Sequence, residues 1–172
     1  MYILLFIVVI LLGTMAYAGY SAAPWVPTRA RDVKRILQMA DIRAGEKVVD
    51  VGCGDGRLVV AAARDCGAYG VGVDIGIPQY IHAQIMRMRQ DAAVRGRTRI
   101  VWGDLFQYNL CDADVVVVYL LSKSYDRLVK KFEKELKPGA RVVVEAWPVS
   151  VWEPTKVDKG SKQDVPLYLY KR

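Results

Sequence analysis

Three glycines at alternate positions, Gly52, Gly54 and Gly56, stand directly behind residues 48–51 in the stretch KVVDVGCGDGRLVVAAA. A strand end stripped of side chains lets a ligand approach the main chain closely. Two carboxylates occupy comparable places: Asp74 closes GVGVD, and Asp104 follows the apolar start of VWGDLFQY. A carboxylate at the end of a second strand can accept both hydroxyls of a ribose. Asp74 also reads as a strand-end helix cap, and Asp104 as a turn residue. The dinucleotide fingerprint G-x-G-x-x-G is not met, because Arg57 stands where its third glycine would fall. A pyrophosphate resting on that helix N-terminus is therefore disfavoured.

The order that is present, Asp50-x-Gly52-x-Gly54-x-Gly56 behind an apolar strand, resembles the pattern of class I methyltransferases that use S-adenosyl-L-methionine. The resemblance implies a cofactor lying along Gly52, Cys53, Gly54 and Gly56, with Asp74 on its ribose and Asp104 on its adenine amino group. Ile75 and Leu105 would sandwich the ring, and Asp50 would orient the loop and the cofactor's amino group. Each signal is weak by itself, and their order and spacing together are specific.

These residues need a scaffold that brings strand ends together. Apolar runs at 47–51, 69–74, 99–102, 115–119 and 141–145 alternate with helical patterns at 57–65, 79–94 and 125–136. That alternation predicts a doubly wound, Rossmann-like parallel sheet of the α/β class. VVVVY and RVVVE are continuously apolar, as strands covered on both faces require. A further helix is expected after PWVPT, capped by Thr28, with Val33, Ile36, Leu37 and Ala40 on its inner face. The tail from Ser150 has two extended pieces around a polar turn and reads as a C-terminal antiparallel hairpin.

Hydropathy divides the chain at residues 1–23 and 24–172. The first part, MYILLFIVVILLGTMAYAGYSAA, carries no charged side chain. Residues 2–20 match the roughly 20 apolar residues of a membrane-spanning helix. AYA resembles a signal-peptidase site, but the basic region that precedes a signal sequence is missing. Arg29, Arg31, Lys34 and Arg35 follow the segment, so a single-pass anchor would leave the domain on the cytoplasmic or an equivalent side. The net charge of +7 over 172 residues suits solvated faces near an anionic leaflet, and nucleic acid is an unlikely partner. Cys53, Cys66 and Cys111 lack CxxC spacing and read as free thiols, with no metal site expected.

Beyond the general class, PWVPT, VVDVGCGDGRLVVAAA, VVVVYLLSKSYDRLVKKFEKELKPGARVV and WEPTKVDK with PLYLYKR carry a narrower likeness. Over residues 24–172 the chain resembles the small archaeal protein lysine methyltransferases and their mitochondrial relatives, which methylate the ATP synthase c-subunit and the adenine nucleotide translocase. The resemblance implies a protein substrate whose lysine enters near Tyr119, Leu120 and Leu121. No N-P-P-Y follows the fourth strand, which argues against adenine or glutamine amides as acceptors. A lipid or small apolar acceptor, and a non-catalytic cofactor-binding scaffold, remain the rival readings.

Lysine is a nucleophile only when neutral, and with a pKa near 10.4 only about one in 10³ is neutral at pH 7. Burial against apolar walls lowers that pKa, so a dedicated base is not a requirement. Tyr119, Trp147 and Trp152 are the candidate walls, Tyr119 and Trp147 above all. Their aromatic faces also attract cations, although ordinary packing explains them equally. Glu145, closing RVVVE, is a candidate to attract the amine. His82, Met86 and Met88 read as packing or surface residues of one helix.

Overall fold

The computed structural model describes residues 2–161 and 163–172. Met1, the first residue of the expected anchor, lies outside them. Seven strands form one mixed sheet: β1 (Lys47–Val51), β2 (Tyr69–Asp74), β3 (Thr98–Trp102), β4 (Val115–Val118), β5 (Arg141–Glu145), β6 (Lys156–Asp158) and β7 (Leu167–Lys171). Their order is β3-β2-β1-β4-β5-β7-β6, parallel from β3 through β5. β7 runs antiparallel to both β5 and β6, which is the expected terminal hairpin.

The continuously apolar strands are covered on both sides. Val49, Val51, Val116, Val118, Val142 and Val144 pack with Leu128 and Phe132 of α6 (Tyr125–Glu135). Their neighbours in sequence, Val48, Val115, Val117 and Val143, pack with Ile36 and Leu37 of α2 (Ala30–Met39) and Leu58 and Ala62 of α3 (Arg57–Cys66). Successive side chains of a strand point to opposite faces, so each valine pair serves two cores. α3 also meets α4 (Ile77–Met88) through Val59 and Ala83, with Ile100 of β3.

Two expectations fail locally. The single helix over 79–94 is broken into α4 and α5 (Ala92–Gly96), because Asp91 adopts an extended backbone and its carboxylate accepts the Val94 N–H at 2.8 Å. A short acidic side chain competes with the helix for its own backbone and starts a new one. Thr28 does not cap α2: Arg29 occupies that position without a side-chain cap, and the Thr28 hydroxyl is turned elsewhere.

α1 (Tyr2–Ser21) is 20 residues long and is the helix long and apolar enough to cross a membrane among the described residues. Tyr2, Ile3, Leu4, Leu5, Phe6, Val9 and Leu12 all lie open. Its C-terminal part touches the domain: Thr14 Oγ1 accepts the Ile77 N–H at 3.4 Å, and Ala22, just past the helix, is buried.

Candidate active site

Strand register brings the chemistry-bearing residues to one level. Val51 is paired with Val73 and with Val118, and Val118 with Val144. One step onward, Gly52, Asp74, Tyr119 and Glu145 therefore stand side by side at the carboxyl edge of the sheet. That edge holds the switch point where β2 and β4 flank β1, the place at which open α/β sheets bind ligands.

All three loop glycines adopt positive φ: +87° at Gly52, +55° at Gly54 and +76° at Gly56. At Gly56 a Cβ would lie 3.1 Å from that of Ala83, so the residue also allows close packing of α4. At Gly54 a Cβ would collide with the Trp25 indole. The space that the missing side chain leaves is thus occupied in part by the chain itself, through the connector that follows α1.

A cavity opens between the glycine loop, the strand ends and that connector. Its walls include Asp50, Gly52, Cys53, Gly54, Asp74, Ile75, Asp104, Leu105, Tyr119 and Leu120, together with Trp25, Thr28, Gln79 and Arg57. Of the residues singled out from the sequence for the cofactor or the acceptor, Gly56, Leu121, Glu145, Trp147 and Trp152 lie outside these walls. Trp147 is 51% exposed, beyond the turn that follows β5. Trp152 packs against Phe132 and Tyr170 instead, at ring separations of 6.1 and 5.8 Å. Leu121 is exposed, and His82 lies edge-on to Trp25 at 6.2 Å.

The strand-end carboxylates are already engaged with the main chain. Asp74 accepts from the Gly54 N–H at 2.9 Å and the Gly76 N–H at 2.8 Å, so it caps these turns while retaining further lone pairs. Asp104 accepts from the Phe106 N–H at 2.9 Å in a tight turn. Asp104 is thus the turn residue that the sequence also allowed, whereas Asp74 caps no helix, since α4 begins after Gly76 without a side-chain cap; both residues line the cavity.

Among the described residues, four carboxylates line the cavity, Asp50, Asp55, Asp74 and Asp104, against the single guanidinium of Arg57. Burial, with the neighbouring Asp74, Glu145 and Asp55, pushes Asp50 up to about 8. Burial likewise raises Asp74, although its bonds from Gly76 and Gly54 pull the other way. At Asp55 burial is outweighed by Arg57, which holds the carboxyl below its usual range. An acidic cavity of this kind favours a cationic occupant. Gln79 Oε1 is buried without a hydrogen-bond partner among the described residues, and it waits for a donor such as a hydroxyl or amino group. With Ile75 and Leu105 as apolar walls, the set suits a cationic nucleoside. Among the described residues no group of three or more His, Cys, Asp or Glu is placed to hold a metal ion.

Several residues outside the motif reading build this site. Arg57 binds both oxygens of Asp55 and donates from Nη1 to the Thr28 carbonyl at 2.8 Å, tying the connector to the glycine loop. Lys123 donates to the Gly19 and Tyr20 carbonyls at 3.1 and 2.8 Å, satisfying the open end of α1. Met15 and Ala18 of α1 also form part of the cavity wall. The spacing of GDGR held a hint of the first device. No sequence pattern pointed to the second.

Comparison with known proteins adds further likenesses. Residues 50–156 match the family described as the ANTKMT methyltransferase domain. A protein-lysine N-methyltransferase of Saccharolobus islandicus is 37% identical over 159 residues, 91% of this chain and 96% of its own length. The adenine nucleotide translocase lysine N-methyltransferase of Mus musculus is 34% identical over 137 residues, 78% of this chain and 57% of that longer protein. A crystal structure described as an RNA methyltransferase from Salinibacter ruber, in complex with S-adenosyl-L-homocysteine, aligns with a TM-score of 0.79 at 32% identity, over 85% of this chain and 93% of that one.

Proposed function

This chain belongs to the ANTKMT methyltransferase domain family and is an S-adenosyl-L-methionine-dependent protein-lysine N-methyltransferase; on that premise we propose that it acts on a lysine close to a bilayer, to which α1 tethers it. The relative aligned along nearly its whole length is named for protein-lysine methylation, and that alignment carries the choice of acceptor. Tethering is supported by the uncharged, solvent-open surface of α1, which would be costly to leave in water at about 25 cal/mol per Å². Met15 and Ala18 of that helix form part of the cavity wall, so a substrate near the membrane would have a short path to it.

The cofactor supplies a methyl group on a cationic sulfur. The backbone of Gly52, Cys53 and Gly54 would lie along it, Asp74 and Gln79 would take its ribose hydroxyls, and Asp104, Ile75 and Leu105 would hold the adenine. Asp50, neutral in the empty cavity, becomes an anionic partner once a cation is beside it. Gly56 acts one step away, by letting α4 close against the loop. Trp25, Pro24 and Pro27 cover the cavity and keep out water, which in-line transfer to an amine requires. Tyr119 and Leu120 form the wall that the acceptor side chain must pass. Trp147, outside the cavity, would meet only the surface of an arriving protein.

The Salinibacter ruber structure makes RNA the first rival acceptor, and the anchor makes lipid the second. Full-length protein reconstituted in vesicles, incubated with methyl-labelled cofactor, membrane proteins, RNA and lipid, is expected to label protein alone. Label in RNA or lipid would overturn the assignment. Alkaline carbonate extraction checks the anchor: the full chain stays with the membrane pellet, and its release into the supernatant would contradict tethering.

A further inference from the structure

The cavity contains a polar group that no cofactor contact uses. Thr28 lines the cavity, and its hydroxyl donates to Glu145 Oε2 at 2.9 Å, where the strand register sets Glu145 beside Tyr119. Glu145 is 1% exposed and does not itself reach the cavity wall. The backbone at this point is held in an uncommon shape. Ala146 has φ +76°, a left-handed value for a residue with a Cβ, and the Trp147 N–H returns to the Glu145 carbonyl at 3.1 Å. Strain of this sort persists where the surroundings enforce it, and it gathers at functional sites.

We propose that Thr28 and Glu145 form a proton relay for the acceptor lysine: Thr28 Oγ1 takes a proton from the substrate ammonium while passing its own to Glu145 Oε2. The inference rests on the lysine reading above. In the step one N–H bond breaks and its electron pair stays on nitrogen as the nucleophilic lone pair. The Thr28 hydroxyl is regenerated, and the carboxylate becomes a carboxylic acid. That proton returns to solvent when product leaves.

The surroundings tune Glu145 for this work. Burial first, then the Asp32 carboxylate, push it up to about 7, against the Thr28 hydrogen bond, Arg35 and Arg29, which pull it down. Tyr119, Tyr125 and Asp50 are raised in turn by its charge, each after burial as the larger cause. Asp32 is paired through Oδ1 with Arg35 at 2.8 Å, and its Oδ2 is buried without a partner among the described residues, so Glu145 sits beside an ion pair instead of a lone charge. A base with a pKa near the working pH is well placed for general-base catalysis, worth about 10²–10⁴ in rate.

The test is single-turnover methylation of an oligolysine peptide by the full chain from about pH 6 to 10, compared with Glu145→Gln, Thr28→Val and Thr28→Ser. The wild type is expected to rise through about pH 7 and then level off. Glu145→Gln and Thr28→Val should lose about 10²-fold at pH 7 and keep climbing with pH, following the neutral amine, so that the loss shrinks to about tenfold or less near pH 9.5. Thr28→Ser should behave as wild type. Affinity for S-adenosyl-L-homocysteine should stay within about twofold throughout, and an infrared carboxylic-acid band titrating near pH 7 should vanish in Glu145→Gln. Parallel pH profiles for wild type and Thr28→Val would overturn the relay even if Glu145→Gln failed to fold. A wild type that leaves the peptide lysines unmodified would overturn the lysine reading itself.

Discussion

Asp50 carries a testable consequence of being buried among other carboxylates. Its pKa is raised from 3.8 to about 8, so the native state holds a proton that the unfolded chain gives up. The stability this contributes is fully present below about pH 4 and is lost as pH rises through about 8. The urea midpoint of the ligand-free protein should therefore fall between pH 5 and 8, and Asp50→Asn should flatten that fall; an unchanged slope in the variant would contradict the burial argument. Gly54 is the sharper single-residue probe. A valine there must adopt φ +55° and displace Trp25, so cofactor affinity should drop at least about tenfold by calorimetry. At this scale the sequence was informative wherever a residue type has one main use: the glycines and the strand-end aspartates were legible. Glu145 was visible only as a strand end. Its bond to Thr28 joins residues 117 apart, which no local pattern encodes.

The connector between α1 and α2 is the element that the sequence undersold. In the sequence PWVPT stands only as the lead-in to a helix; its two prolines keep it extended, and it is also a wall of the cavity. Arg57 and Trp25 fasten it from two sides. Arg57→Ala should open it, so that limited proteolysis near residues 24–29 speeds up several-fold and bound S-adenosyl-L-homocysteine restores protection. Equal cleavage rates in variant and wild type would show that the clasp contributes nothing. The strands were legible because two-sided burial forces long apolar runs. The break between α4 and α5 was not, since helical spacing continues across it and only the Asp91 cap interrupts the backbone. The hydroxyl expected to cap α2 went to Glu145, an instance of tertiary structure overriding a local preference.

For the molecule as a whole, the apolar helix and the folded domain are not independent parts. Met15 and Ala18 line the cavity, and Lys123 closes the end of α1, so a cut at residue 23 removes part of the site. A chain of residues 14–172 should retain activity on soluble lysine peptides within about threefold, yet modify a membrane target about 10²-fold more slowly, because tethering supplies effective concentration. A chain of residues 24–172 should lose activity on both. If it kept full activity on peptides, the contribution of α1 to the cavity would be refuted.

Methyl transfer to a protein lysine is read out without a proxy by tandem mass spectrometry. Purified full-length protein would be incubated with deuteromethyl-labelled S-adenosyl-L-methionine and a membrane extract containing proteins, RNA and lipids. Heavy methyl groups are expected on lysine ε-nitrogens of membrane-associated proteins, and the Gly54→Val substitution should abolish them. Heavy methyl found instead on nucleosides or lipid headgroups, with protein lysines unlabelled, would contradict it.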